Sequence, residues 1–203
     1  MDEGSTSVPQ AELRLGPYRG AVEERLRSWQ ETSFGERLWS RDHRLWSERP
    51  DPEITRRLGW LDLPGRAVEE QAGLRLFAEE VRSDGVERVV LLGMGGSSLA
   101  PEVFQRTLGN APGYPRLTVL DSTHPEAVSS LAGELIPERT LFLVSSKSGT
   151  TIETLSFFRW FWAWSASALA APGRQFVAIT DPGTPLEGLA RERGFRRVFS
   201  APD

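Results

Sequence analysis

Apolar residues follow two different rhythms along this chain. As far as Arg82 they recur every three or four positions among charged side chains, as in AVEERLRSW (21–29), GERLWSRDHRLWS (35–47) and DPEITRRLGWLDLP (51–64). That spacing predicts short helices punctuated by Pro and Gly, a helical arm spanning residues 1–65. RAVEEQAGLRLFAEEVR (66–82) sets Val68, Leu74, Leu76, Phe77 and Val81 at helical spacing and predicts one more amphipathic helix, stopped at Ser83-Asp84-Gly85. Beyond it the rhythm changes to short aliphatic and β-branched runs, which predict strands at 88–94, 116–122, 140–146 and 175–181, with a weaker one at 196–200. Helix-length segments separate them.

Strand and helix alternating this often predict an α/β class: a doubly wound parallel five-stranded sheet, order 2-1-3-4-5, with helices on both faces, over residues 66–203. The apolar run from Phe157 to Ala171 is interrupted by Arg159 and too short to span a bilayer, so it is expected as a buried helix and not as a membrane anchor.

Composition narrows the chemistry. The 203 residues carry 24 Lys plus Arg against 28 Asp plus Glu, a net charge of -4, with no basic field to hold nucleic acid. Cysteine is absent, which removes disulfides, thiolate metal sites and Cys nucleophiles. The acidic start MDEGSTSVPQ lacks the marks of a secretory or transit peptide, so a cytoplasmic location is expected. Two histidines, His43 and His124, are too few and too far apart for a metal site, and neither a Walker A loop nor HExxH is present. His124, before Pro125-Glu126, is expected at a helix start.

In a doubly wound sheet the ligand lies beyond the carboxyl ends of the strands, where strand order reverses. GMGGSSLAPE (93–102) follows the first strand and SSKSGTT (145–151) the third, and both lead into a helix. Glycines let the backbone approach an anion, while amides, hydroxyls and a helix N-terminus supply donors. Lys147 is the only lysine in the chain and stands inside the second loop. Each loop alone also reads as a helix cap; their convergence on one switch point favours a phosphate. Gly93-x-Gly95-x-x-Ser98 with Asp121 after the second strand keeps an NAD-binding Rossmann domain open as a rival, although Ser98 replaces its third glycine.

LLGMGGSSLAPE, VLDSTHPEAV and LVSSKSGTTIET, in this order, resemble the first sugar isomerase (SIS) domain of the glucose-6-phosphate isomerase family. LGPYRGAVEERL, RLWSRDHRLWS and LGWLDLP resemble the isomerase part of bacterial transaldolase and glucose-6-phosphate isomerase fusions. The resemblance implies a substrate phosphate held by Ser97, Ser146, Ser148 and Thr151, with Lys147 and Thr154 behind them and Gly95, Gly96 and Gly149 shaping the loops. It implies no metal and no organic cofactor, a sugar phosphate partner, and a homodimer in the full-length protein, with a fused transaldolase domain as one arrangement. Ala100 stands where many members have glycine. The glutamate base, the arginine, and the histidine and lysine of ring opening belong, by the same resemblance, to sequence after the segment seen here. This chain is therefore expected to bind without catalysing, as an N-terminal portion or as a free-standing phosphosugar-binding module.

Overall fold

The computed structural model describes residues 13–55 and 57–200, which fall into two units, one ending at Leu58 and one beginning at Gly59. In the first unit, α1 (Arg19–Glu31) reverses at Ser33 into α2 (Phe34–Trp39). Ser33 takes a left-handed backbone, and the reversal stacks Phe34 on Trp29 with ring centroids 4.7 Å apart. A second left-handed residue, Arg41, separates α2 from a 3-10 turn at His43–Leu45, so the apolar spacing of 35–47 becomes two short pieces instead of one. Asp42 caps that turn: its carboxylate accepts from the Arg44 amide and from the guanidinium groups of Arg44 and Arg37. Those bonds, Arg44 first, hold its carboxyl well below the usual carboxylate range. The short α3 (Pro52–Thr55) follows.

The second unit begins with a 3-10 turn (Gly59–Asp62) and α4 (Leu63–Ser83), which starts ahead of the predicted helix because Pro64 suits a first turn. Of its five apolar positions only Phe77 and Val81 are buried; Val68, Leu74 and Leu76 are exposed. Its 21 residues extend roughly 30 Å, whereas a five-residue strand spans about 17 Å, so only the C-terminal part of α4 can lie over the sheet. Leu76 sits about 100° around the helix from Phe77 and misses that face.

Strands β1 (Arg88–Leu92), β2 (Arg116–Leu120), β3 (Thr140–Ser145), β4 (Phe176–Thr180) and β5 (Arg197–Ser200) form one parallel sheet, ordered β2-β1-β3-β4-β5. The connections carry α5 (Gly96–Leu108), α6 (Pro125–Gly133), α7 (Ile152–Ala166) and α8 (Pro185–Glu192). Class and strand order are those read from the sequence.

The period-2 alternation of the strands sorts the core onto two faces. Val90, Leu92, Phe142, Val144, Phe176 and Ala178 pack under α6, α7 and α8. Leu141 and Val177, with Val89 and Leu143 beside them, face Phe77 and Val81 of α4. Helix α7 stops at Ala166, short of the apolar run, and buries Phe157, Phe158 and Phe161 while Trp160 stays 41% exposed. Phe142 lies between Phe161 and Phe176, with centroids at 4.7 and 5.0 Å, an aromatic centre that fastens α7 to the sheet. Among the described residues no helix is long and apolar enough to cross a membrane, and no cluster of His, Asp and Glu could hold a metal ion.

Candidate functional site

β1 and β3 are neighbours, Leu92 beside Val144, yet the chain runs from β1 outward to β2 and from β3 outward to β4. Order reverses between them, and their carboxyl-end loops diverge to leave a crevice. Residues Gly93–Gly96 and Ser146–Thr151 therefore come to one place, as the loop readings require.

The first loop is drawn tight. A Cβ on Gly93 would stand 3.2 Å from Ser97 Cβ, and Gly95 has φ 55°, a conformation suited to glycine. Ser98 is buried and its hydroxyl donates to Gly95 O at 3.1 Å, closing the first turn of α5. Ser97 is only half-buried, and among the described residues its hydroxyl has no protein partner. Of two adjacent serines, one is thus consumed by the fold and one is left unpaired. The amides of Gly95 and Gly96 likewise donate to nothing in the described protein.

The second loop is braced from within. Ser146, 2% exposed, places its hydroxyl 2.8 Å from Thr151 Oγ1 and accepts from the Gly149 amide at 3.1 Å. Ser148 and Thr150 pair their hydroxyls at 2.9 Å on the exposed side. The amides of Lys147, Ser148 and Thr151 have no partner among the described residues, and Thr151 is the N-cap residue of α7. Thr154, one turn into α7, is fully buried, and its hydroxyl is unpaired in the described protein. Five unpaired amides, the hydroxyls of Ser97, Ser148 and Thr151, and the amino ends of α5 and α7 thus stand at the carboxyl ends of two neighbouring strands, donors of the kind that bind an oxyanion.

Lys147 does not turn toward that array. Its ammonium lies 2.5 Å from Asp181 Oδ2, beyond the end of β4. Lys147 O accepts from the Asp181 amide at 3.1 Å and from Thr180 Oγ1 at 3.3 Å. The 180–184 turn is thus part of the site's frame, and the sequence reading did not single it out. Its signal was there: TDPGT follows β4, the strand next to β3.

The acids nearby are engaged or peripheral. Glu102 pairs with Arg106 at 2.6 Å, Glu153 lies in the first turn of α7, and Asp121 and Glu126 are exposed after β2. His124 caps α6, its Nδ1 accepting from the Glu126 amide at 3.3 Å. A separate, largely apolar cavity of about 370 Å³ lies between α6 and α7, lined by Val128, Phe157 and Trp160 among others, and no charged side chain lines it. Its polar lining is the hydroxyl side chains of Thr123, Ser129 and Ser156.

A doubly wound parallel sheet with two donor-rich loops at its switch point defines an α/β domain of the sugar-isomerase-like architecture. The model of the phosphoglucose isomerase family matches residues 65–188, more than half of the chain, and the chain belongs to that family. A glucose-6-phosphate isomerase of Thermus thermophilus is 35% identical over 161 residues, which is 78% of this chain and 37% of that enzyme. One from Carboxydothermus hydrogenoformans is 39% identical over 159 residues, 71% of this chain and 33% of that enzyme. The solved structure of a glucose-6-phosphate isomerase from Chlamydia trachomatis superposes with a TM-score of 0.61 at 27% identity, covering 82% of this chain and 30% of the other. The chain therefore spans 30–37% of the length of these relatives.

Proposed function

We propose that this chain is the phosphate-holding portion of a cytoplasmic isomerase that interconverts glucose 6-phosphate and fructose 6-phosphate. The reading is supported by the unpaired amides of Gly95, Gly96, Lys147, Ser148 and Thr151 and the unpaired Ser97 hydroxyl, on two loops that the strand order sets at one switch point. A phosphate monoester supplies acceptor oxygens for several such donors at once, and its charge is favoured at the amino ends of α5 and α7. The reading calls on no metal or organic cofactor. It makes the sugar phosphate the partner and a homodimer the form of the longer protein.

The isomerisation itself moves a proton between C1 and C2, which needs a carboxylate within about 3 Å of that edge and a cation or donor over the developing oxyanion. Glu102 pairs with Arg106 and Glu153 lies in the first turn of α7, and neither is assigned as the base. On this reading the chain binds substrate phosphate and other residues perform the proton transfer.

Calorimetric titration with glucose 6-phosphate tests it. Ser148→Ala and Thr151→Ala should each weaken binding several-fold, roughly the loss of one charge-assisted hydrogen bond. Unchanged affinity in both variants would remove the phosphate from this loop. Titration with NAD should give no heat, and heat there would restore the dinucleotide reading.

A further inference from the structure

Lys147 is the only lysine of the chain and stands in the middle of the anion loop, where a direct contact with the phosphate is the obvious role. Its placement argues otherwise. The ammonium is held on Asp181, a carboxylate whose side chain is 18% exposed, and the Lys147 carbonyl is held by the Asp181 amide and the Thr180 hydroxyl. Main chain and side chain of one residue are thus tied to the same turn. That turn is rigid: Thr180 and Thr184 pair their hydroxyls at 2.8 Å, Thr184 accepts from the Glu187 amide, and Glu187 accepts from the Gly183 amide, a reciprocal cap on α8. Gly149, two residues beyond Lys147, packs against Thr184 and the Leu186 amide with no room for a side chain.

We propose that Lys147 is a positioning residue, which clamps the 146–151 loop to the 180–184 turn through Asp181 so that the loop's free amides are preorganised for the anion. The proposal rests on the phosphate reading above and adds a second, remote element to the site. The ammonium is half exposed, so solvent screens the pair, and the effect that distinguishes a clamp is in the loop's geometry.

The two roles open to Lys147 make opposite predictions at Asp181. If Lys147 touched the phosphate, Asp181→Asn would remove a negative charge near an anion site and leave binding unchanged or tighter. If Lys147 is a clamp, Asp181→Asn weakens binding, although it makes the site more positive. In titrations of the 203-residue chain with glucose 6-phosphate, Lys147→Met and Asp181→Asn should each lower affinity by about fivefold, and the double variant should be no weaker than either alone. Lys147→Arg keeps the charge and should stay within about twofold of the parent. Unchanged or tighter binding by Asp181→Asn overturns the clamp, and so do additive losses in the double variant. If the parent chain binds no phosphosugar, the phosphate reading fails, and the clamp is then decided by amide exchange. Lys147→Met should speed exchange at the Asp181 and Gly149 amides by about tenfold relative to the parent, and an unchanged rate at both overturns the clamp.

Discussion

Gly149 lies so close to Thr184 that a Cβ on the glycine would stand 2.8 Å from the threonine Cβ and 2.9 Å from the Leu186 amide nitrogen. At φ 67° the position also favours glycine for its backbone. Gly149→Ala should therefore cost about 2–4 kcal/mol of stability and displace the loop's donors, with loss of phosphosugar affinity. Chemical denaturation and titration of the same variant measure both effects. Gly173 is the control: a Cβ there would meet Arg193 O and Gly194 O at 2.4 Å, far along the chain from either loop. Gly173→Ala should destabilise by about 3 kcal/mol and leave the affinity of the folded fraction unchanged.

Ser97 and Ser98 differ in what they hold. Removing the Ser98 hydroxyl breaks a buried bond to Gly95 O, so Ser98→Ala should lower stability by about 1 kcal/mol. Ser97→Ala removes a hydroxyl with no described protein partner, so stability should stay within about 0.5 kcal/mol while phosphosugar binding weakens by roughly tenfold. Equal stability losses in the two variants would contradict this division.

Asp42 offers a pH test in the first unit. Its carboxyl is held well below the usual range, chiefly by hydrogen bonds from Arg44 and then Arg37. A depressed folded-state pKa contributes stability that is complete above the unfolded value, near about 4, and is lost as pH falls toward the folded value. Asp42→Asn should thus be less stable than the parent at neutral pH, and the gap should close on acidification below about pH 4. Thermal melts of both chains across that range measure it; a gap that widened in acid would reverse the assignment.

Turnover provides the fourth test. A coupled assay of fructose 6-phosphate formation by the purified 203-residue chain should read as background, since loss of an acid or base forfeits a factor of roughly 100 to 10,000 and several groups are at issue. A rate of about 10 per second would make one of Glu102, Asp121, Glu126 and Glu153 the base.

The sequence by itself determined the fold class, the strand order and the place of the two loops. Apolar runs and helix spacing are local properties, and Leu141 to Val144, four apolar residues in a row, carry the signature of a strand buried on both faces. Glycine and hydroxyl clusters at strand ends are equally local, so 93–97 and 146–151 are legible in the sequence alone. What tertiary structure decided depends on contacts between distant residues. Ser97 and Ser98 are chemically identical in the sequence, and only the phase of α5 against Gly95 buries one and frees the other. Val68 and Leu74 belong to the same helix as Phe77 and Val81 but find no sheet beneath them, because helix and strand lengths differ, and Leu76 faces about 100° away from Phe77. Lys147 reads as a phosphate ligand until β4 pairs with β3 and sets Asp181 beside it, 34 residues along the chain. A side chain's partner is chosen by the register of the sheet, and register is a long-range property that no local pattern contains.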